Sequence, residues 1–332
     1  MHQVIERIIE QAKKAQSTII LPEAEDERIL KAARKTVDEG TAGVILCGDE
    51  QRIIHRAKEL NISLGGIKVT DVHSHPRKNE YIEQYYQSRK KKETSREEAE
   101  STILDPLFFA AMMAKNKEAD GVVAGAVNTT ARVLQAVFRI IRPNPDIHTI
   151  SSFFLMLFED KEIGDDGVLL YADCASIISP GSIQLAEMAV SSADSYRFLV
   201  GSEPRVAMLS FSTRGSSHHP QTEKIVQATE KVKNLREDLL VDGELQVDAA
   251  IVPAVAEKKA PGSCVGGRAN VLIFPDLNSG NIAYKLTERL AGAKALGPIL
   301  QGTALPMNDL SRGCSMEDVF LVMAITAIQN KK

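Results

Sequence analysis

Short runs of branched apolar residues alternate with longer segments of helical periodicity along most of this chain. The run from Thr18 to Leu21 has the composition of a buried strand, and residues 25–37 follow with apolar side chains at helical spacing. Because the strand-then-helix unit recurs, the sequence predicts a mostly parallel sheet with helices on both faces. The pattern predicts strands at residues 18–21, 43–47, 67–69, 120–124, 149–158, 168–172, 205–210 and 270–274, and helices at 25–37, 50–60, 130–141, 182–193, 221–235, 280–290 and 315–329.

The length of the chain predicts two domains. It has 332 residues, which exceeds the size at which a single hydrophobic core keeps growing. The stretch from Arg142 to Asp146 contains two prolines between a helical pattern and a strand pattern, so it is the predicted crossover.

Composition and cysteine spacing argue against several classes of protein. A net charge of −4 gives no general attraction to nucleic acid or anionic lipid. Residues 1–14 have the pattern of an amphipathic helix and lack the apolar core of a signal peptide, and the apolar run 153–158 is too short to cross a bilayer. We therefore expect a cytoplasmic protein without a metal site or disulfides, since the cysteines lie far apart with no CxxC pair: Cys47, Cys174, Cys264 and Cys314.

The densest group of reactive side chains lies near the C-terminus, on a glycine-containing turn that leads into the last predicted helix. Its members are a hydroxyl, a guanidinium, a thiol and a carboxylate. A guanidinium can hold a phosphate in bidentate fashion, a hydroxyl can steady an oxyanion, and a carboxylate can act as a base. These are the groups needed to move an acyl group from phosphate to another acceptor, and they belong to Ser311, Arg312, Cys314 and Asp318.

Each of these residues also has an ordinary structural interpretation. Asp318 lies three residues after Ser315, which is the spacing of a helix capping box. Ser311 and Arg312 are compatible with a simple exposed turn. We interpret Cys314 as a packing residue beside the site, because no histidine lies nearby in sequence to activate its thiol.

Two further segments combine a strand end with small residues and hydroxyls. Residues 120–124 have a strand pattern and run through small residues into Asn128, Thr129 and Thr130, and such a turn can present backbone N–H groups to an anion. Asn and Thr are also common helix N-caps, so this signal is weak by itself. Residues 210–216 end a second strand with Ser212, Thr213 and Arg214, which is a plausible anion-binding loop or an ordinary polar loop.

These segments together resemble the phosphate acyltransferase family, best known as the phosphotransacetylases. The likeness is carried by residues 297–302 and 308–318, by the 124–130 turn and by residues 210–216, and it extends to residues 21–28, 171–175 and 275–281. The resemblance implies a reversible reaction of an acyl phosphate with coenzyme A to give acyl-coenzyme A and phosphate. It also implies direct thiolate attack in a ternary complex, with coenzyme A as a co-substrate and no tightly bound cofactor.

The family fold consists of two α/β domains with mostly parallel sheets and a cleft between them, similar to the isocitrate and isopropylmalate dehydrogenases. The resemblance implies a discontinuous first domain of residues 1–146 and 297–332, a second domain of residues 147–296, and a homodimer. It implies that Asp318 takes the thiol proton, that Arg312 grips the phosphate and that Ser311 steadies the oxyanion. Substrate contacts are implied for Asn128, Thr129, Thr130, Ser212, Thr213, Arg214 and Cys314, and Arg89 matches a basic position associated with the far end of coenzyme A.

The sequence departs from the family pattern after Thr130. The family usually continues with an acid at the position of Arg132 and an arginine at the position of Gln135. This departure either removes one phosphate or coenzyme contact or places its charge on a neighbouring turn. Arg139, one helical turn further on, is a candidate replacement for the family arginine.

The leading hypothesis is a phosphate acetyltransferase. The nearest alternative is a relative that prefers butyryl or propionyl groups, since one methylene changes binding by only about 1–3 kcal/mol. A second alternative is a module that senses acyl-coenzyme A without catalysis, which the presence of Ser311, Arg312 and Asp318 disfavours. A dehydrogenase of similar fold is a third, and the lack of a GxGxxG motif after the first strand argues against it.

Overall fold

The computed structural model describes residues 2–330, which divide into two compact units. The first unit contains residues 3–144 together with the segment from Thr303 onward, and the second contains residues 145–302. In chain order the elements are α1 (Gln3–Ala15), β1 (Thr18–Leu21), α2 (Glu27–Glu39), β2 (Gly43–Gly48), α3 (Glu50–Glu59), β3 (Ile67–Asp71), α4 (Lys78–Arg89), α5 (Arg96–Ile103), α6 (Pro106–Lys115), β4 (Gly121–Ala124), α7 (Thr130–Ala136), β5 (Ser151–Leu157), β6 (Val168–Ala172), α8 (Ser182–Val200), β7 (Arg205–Leu209), α9 (Pro220–Leu235), β8 (Leu240–Leu245), α10 (Val247–Ile251), α11 (Pro253–Lys259), β9 (Val271–Ile273), α12 (Leu277–Leu290), β10 (Lys294–Gln301), β11 (Met307–Asp309) and α13 (Met316–Gln329).

The first unit is built on a five-stranded parallel sheet in the order β11-β4-β1-β2-β3. The central strand β1 is buried on both faces, as is usual for parallel sheets. The chain runs outward from β1 to β2 and β3, and then places β4 on the other side of β1. The gap between β1 and β4 is therefore the topological switch point, and ligands of open parallel sheets bind there, outside the carboxyl ends of the strands.

Side-chain caps fix where the helices begin at this edge of the sheet. The side chain of Asp26 accepts a hydrogen bond from the Arg28 N–H at the start of α2, and Thr129 accepts one from the Arg132 N–H at the start of α7. Ser315 caps α13 in the same way. A single cap contributes about 1 kcal/mol, so these residues hold the three helix starts beside the strand ends.

The second unit contains a six-stranded sheet in the order β10-β5-β6-β9-β7-β8. The pairs β10–β5 and β5–β6 are antiparallel, and the remaining pairs are parallel. The predicted α/β class with mostly parallel sheets is confirmed. No helix among residues 2–330 has both the length and the apolar character needed to span a membrane.

The structure differs from the sequence-based expectations mainly at β10. The sequence analysis places the return of the chain to the first domain at residue 297, whereas in the structure the first unit resumes at Thr303. The reason is that β10 pairs with β5 as far as Gln301 and so belongs to the second unit. A register shift between Leu296 and Ile299 accommodates Pro298 in this edge strand. The pattern of residues 1–14 does predict α1. The elements that the sequence patterns do not predict are α4, α5, α6, α10, α11, β8, β10 and β11.

Candidate active site

The carboxyl ends of β1, β4 and β11 lie side by side at the switch point of the first unit. They lead respectively into residues 22–26, 125–130 and 310–315. The predicted C-terminal group and the predicted 125–130 turn are thus brought to one edge of one sheet. A cavity of about 350 Å³ opens there, and its lining includes Glu23, Asp26 and Asp105, so its charge does not suit a phosphate.

The 125–128 turn does present backbone N–H groups, but an internal carboxylate already occupies them. Glu23 Oε2 accepts hydrogen bonds from the N–H groups of Gly125 (3.0 Å) and Ala126 (2.7 Å). Glu23 Oε1 accepts from the backbone N–H of Asn128 (2.7 Å) and from its Nδ2 (2.9 Å). In this structure the carboxylate that follows β1 therefore occupies the turn, and the predicted substrate contacts of residues 128–130 stay a prediction.

Thr129 and Thr130 form different hydrogen bonds at the start of α7. The exposed Thr129 caps the helix, with its Oγ1 3.3 Å from the Arg132 nitrogen. The half-buried Thr130 donates its hydroxyl proton to Asp309 Oδ2 at 2.7 Å. The sequence analysis did not single out Asp309, although it lies two residues before Ser311 in the same motif.

Asp309 is almost fully buried at the end of β11, with 1% of its surface exposed. Among residues 2–330, no group is in hydrogen-bonding geometry with its Oδ1. Burial raises the pKa of Asp309 to about 7, and the Thr130 hydroxyl and the Leu310 N–H, which favour the ionised form, offset only part of that rise. The site therefore contains a carboxyl group that changes its charge near neutral pH.

The C-terminal turn presents a free cation to solvent. Ser311 and Arg312 are both exposed, and Ser311 Oγ accepts from the Gly313 N–H at 3.2 Å. Within residues 2–330 the Arg312 guanidinium has neither a hydrogen-bond nor an ion-pair partner. Cys314 is buried, and burial raises the pKa of its thiol to about 11, which is consistent with the predicted packing role and not with a thiolate nucleophile.

Asp318 takes part in a complete capping box. Its Oδ2 accepts from the Ser315 N–H at 2.9 Å and from the Ser315 hydroxyl at 2.8 Å, and Ser315 Oγ accepts from the Asp318 N–H at 3.2 Å. No hydrogen bond to its Oδ1 occurs in the part of the chain that the structure describes. The ordinary interpretation of the Ser315–Asp318 spacing is thus correct, and one carboxylate oxygen stays available.

Arg28 holds this edge of the unit together, a role that the sequence analysis missed. Its Nη1 donates to the carbonyl oxygens of Arg312 (2.7 Å) and Cys314 (3.1 Å), and its Nη2 donates to that of Ala126 (2.8 Å). The same guanidinium is fixed by a fork of hydrogen bonds to Asp26. Because the three carbonyl partners are backbone atoms distant in sequence, no local pattern indicates the role.

The helix that departs from the family pattern carries two differently placed arginines. Arg132 forms an ion pair with Asp105, so the cation that replaces the usual acid is neutralised inside the unit. Arg139 Nη1 lies 3.5 Å from the hydroxyl of Tyr85, one helical turn before Arg89 on α4. The Nε atom of Arg89 is buried and has no hydrogen-bond partner among residues 2–330.

In the second unit, the loop that follows β7 is internally bonded. Ser212 Oγ donates to Glu244 Oε1 at 2.7 Å, and the Gly215 N–H donates to the same oxygen at 2.8 Å. Thr213 exchanges hydrogen bonds with Gln246. Arg214 pairs with Asp242 at 2.6 Å. In this structure the loop therefore binds the carboxylates of strand β8. The predicted substrate contacts of these residues stay a prediction.

The residues described show no metal centre. Among residues 2–330, no group of three or more His, Cys, Asp or Glu side chains is placed to hold an ion. The chemistry that the site can offer is proton transfer, by Asp309 and Asp318, and anion binding, by Arg312.

Comparison with known proteins gives a consistent set of relatives. Residues 3–327 match the family described as phosphate acetyl/butaryl transferase. A phosphate acetyltransferase from Acetivibrio thermocellus is 50% identical over 325 residues, which cover 98% of this chain and 97% of the relative. A phosphotransacetylase structure from Streptococcus pyogenes has a TM-score of 0.93 at 38% identity, covering 99% of this chain and 98% of that one.

A more distant neighbour bears on the fold alone. A 4-hydroxythreonine-4-phosphate dehydrogenase from Burkholderia phymatum has a TM-score of 0.51 at 13% identity, covering 93% of this chain and 96% of that one. The predicted dehydrogenase-like fold is thereby confirmed.

Proposed function

The chain belongs to the phosphate acetyl/butaryl transferase family, and we propose that its first unit carries the interconversion of acetyl phosphate plus coenzyme A with acetyl-coenzyme A plus phosphate. The observation that carries this proposal is the Arg312 guanidinium, exposed and unpaired within residues 2–330, on the turn next to the buried Asp309. A cation without an internal partner, beside a carboxyl group that titrates near neutrality, suits a reaction that releases phosphate and ionises a thiol.

Arg312 is the proposed phosphate clamp. In the forward direction, the thiolate of coenzyme A attacks the carbonyl carbon of acetyl phosphate, and the bond from that carbon to the phosphate oxygen breaks. A charge-assisted, bidentate pair with Arg312 stabilises the departing phosphate, and the Ser311 hydroxyl lies on the same turn to steady the oxyanion. The Arg28 contacts to the carbonyls of residues 312 and 314 support this assignment, because they hold the turn in place.

Asp318 is the base that the family resemblance implies, and we keep it as a candidate. Its Oδ1 is available, whereas its Oδ2 is committed to Ser315. A carboxylate at the positive end of a helix is a weaker base than a buried one. Because one oxygen of Asp318 already accepts two hydrogen bonds from Ser315, a second proton acceptor in the same unit is worth considering.

Arg89 and Arg139 are the proposed contacts for the phosphate groups of coenzyme A. The Arg139 guanidinium lies beside the Tyr85 hydroxyl, and Arg89 follows Tyr85 by one turn of α4. Neither arginine forms an ion pair with a carboxylate within residues 2–330. Arg139 would then take over from the arginine that the family usually has at the position of Gln135.

A thiol-release assay tests the proposed function. Acetyl-, propionyl- and butyryl-coenzyme A are each incubated with the protein and phosphate, and free thiol is followed over time. We expect the fastest release from the acetyl compound. Faster release from the butyryl compound would instead favour a longer acyl chain, and binding of all three without release would favour a sensing module.

We also propose a cytoplasmic homodimer. All four cysteines are unpaired, as is usual in a reducing compartment. Helix α12 exposes Ile282, Leu286 and Leu290 along one face. Because this stripe is symmetric about Leu286, two α12 helices packed antiparallel about a twofold axis would bring Ile282 of one copy against Leu290 of the other. Light scattering should give the mass of two chains, and Leu286→Glu should reduce it to one.

A further inference from the structure

We infer that Thr130 and Asp309 together accept the thiol proton of coenzyme A, with Thr130 meeting the thiol and Asp309 acting as the positioning residue behind it. The inference rests on the proposed function and adds to it the route by which the nucleophile is ionised.

The direction of one hydrogen bond sets the role of Thr130. Its hydroxyl has a single proton, and the ionised Asp309 carboxylate can only accept, so at 2.7 Å the hydroxyl is the donor. The outer side of Thr130 Oγ1 then presents lone pairs. Such a hydroxyl accepts from a donor such as a thiol S–H and repels a phosphate. This changes the predicted role of Thr130 from an anion contact to a proton acceptor.

The accessibility of the two groups fits a relay. Thr130 is half-buried, whereas Asp309 is 1% exposed and cannot itself reach a substrate. Within residues 2–330 no group is in hydrogen-bonding geometry with Asp309 Oδ1. The Thr130 hydroxyl and the Leu310 N–H stabilise the ionised carboxylate, but they offset only part of the cost of burying its charge. A carboxylate in this condition takes a proton readily, and a pKa near the working pH is the most effective one for a general base.

The neighbouring charges leave Asp309 without a counter-ion. Glu23, at the end of β1, adds a second negative charge that raises the pKa of Asp309 further. Two nearby cations are committed elsewhere, since Arg28 pairs with Asp26 and Arg132 on α7 pairs with Asp105. The third, Arg312, is exposed and forms no ion pair with Asp309 in the part of the chain that the structure describes. On α13, Glu317 pairs with Lys35 and Asp318 is held by Ser315.

The proposed step moves two protons in the same direction. The S–H bond of coenzyme A breaks and its proton joins Thr130 Oγ1, while the original hydroxyl proton moves from Thr130 to Asp309 Oδ2. The electron pair of the S–H bond stays on sulfur, which attacks the acyl carbon as phosphate departs with the electron pair of the broken C–O bond. Asp309 ends protonated and, in the reverse reaction, returns its proton through Thr130 to the departing thiolate.

Thr130→Val is the primary test, with Thr130→Ser as its matched control. Valine keeps the shape of threonine and removes the hydroxyl, whereas serine restores it. At pH 7 we expect Thr130→Val to lower kcat with acetyl phosphate and coenzyme A by about 100-fold or more, with little change in the KM for coenzyme A. Thr130→Ser should keep most of the wild-type kcat. Asp309→Asn, checked for folding by circular dichroism, should reproduce the Thr130→Val loss.

The pH dependence separates a proton route from a structural role. A free thiol ionises near pH 8.5, so at pH 9 much of the coenzyme is already thiolate and the deficit of Thr130→Val should shrink. A deficit of equal size at pH 7 and pH 9 would indicate only a structural defect and would overturn the relay. An active wild type with an equally active Thr130→Val or Asp309→Asn would also overturn it. A wild-type chain that transfers no acetyl group at all would overturn the proposed function itself.

Discussion

Asp309 and Asp318 lie in the same strand–turn–helix segment of the first unit, yet their carboxylates have opposite surroundings. Asp309 is buried at a strand end, where it accepts from the Thr130 hydroxyl and is stabilised by the Leu310 N–H. Asp318 is partly exposed at a helix start and has two hydrogen bonds from Ser315 to the same oxygen. The comparison teaches that two carboxylates of one motif can differ widely in burial and hydrogen bonding, and our proposal assigns them different roles on that ground.

The largest expected effect is the difference in kcat between the Asp309→Asn and Asp318→Asn variants. Asp309→Asn should lower kcat at pH 7 by about 100-fold or more, since a positioned general base typically contributes 10²–10⁴-fold. Asp318→Asn should lower kcat by less than about 10-fold. Steady-state kinetics with acetyl phosphate and coenzyme A measure both. A large loss in Asp318→Asn together with a small one in Asp309→Asn would return the role of base to Asp318.

The pH dependence of stability should show the burial of Asp309 directly. Its pKa is about 7 in the folded protein against 3.8 for an unperturbed aspartate, so between these values the native state holds a proton that the unfolded chain has released. The free energy of unfolding should therefore fall as pH rises through this window, by up to about 1.4 kcal/mol per pH unit.

Urea unfolding at several pH values, compared between the wild type and Asp309→Asn, isolates this contribution. All other titrating groups are common to the two proteins and cancel in the difference. The difference should vary with pH for Asp309→Asn. A flat difference would mean that Asp309 ionises as an ordinary aspartate does.

Ser315→Ala should give the smallest effect. It removes a hydroxyl that both caps α13 and donates to Asp318, so the free energy of unfolding should fall by about 1 kcal/mol. Because the change does not touch Thr130 or Asp309, kcat should stay close to that of the wild type. Urea unfolding and a rate measurement at pH 7 check both statements. A large loss of kcat in a variant that is still folded would indicate that Asp318, the partner of Ser315, takes part in catalysis.

Sequence reasoning succeeded where the signal is local. The alternation of strand and helix patterns predicts the α/β class, and the spacing of Ser315 and Asp318 predicts the capping box. The sequence also indicates an exposed guanidinium at Arg312, on a glycine-containing turn, and its predicted phosphate contact stays a prediction.

It failed where a partner comes from a distant part of the chain. The turn at residues 125–128 and the loop at residues 212–215 both have the composition of anion sites. Carboxylates from other parts of the chain, Glu23 and Glu244, bind to them in the structure. No local pattern shows that Glu23 returns to a turn 100 residues later in the chain or that Arg28 binds the C-terminal turn. Strand β11 was missed because it has only three residues, two of them polar.

The pH profile of kcat/KM for coenzyme A, measured on the wild type, Asp309→Asn and Asp318→Asn, tests the account most directly. The account predicts an acid limb in the wild type that rises with a midpoint near pH 7, persists in Asp318→Asn and disappears in Asp309→Asn. A limb that persists in Asp309→Asn and disappears in Asp318→Asn would contradict it.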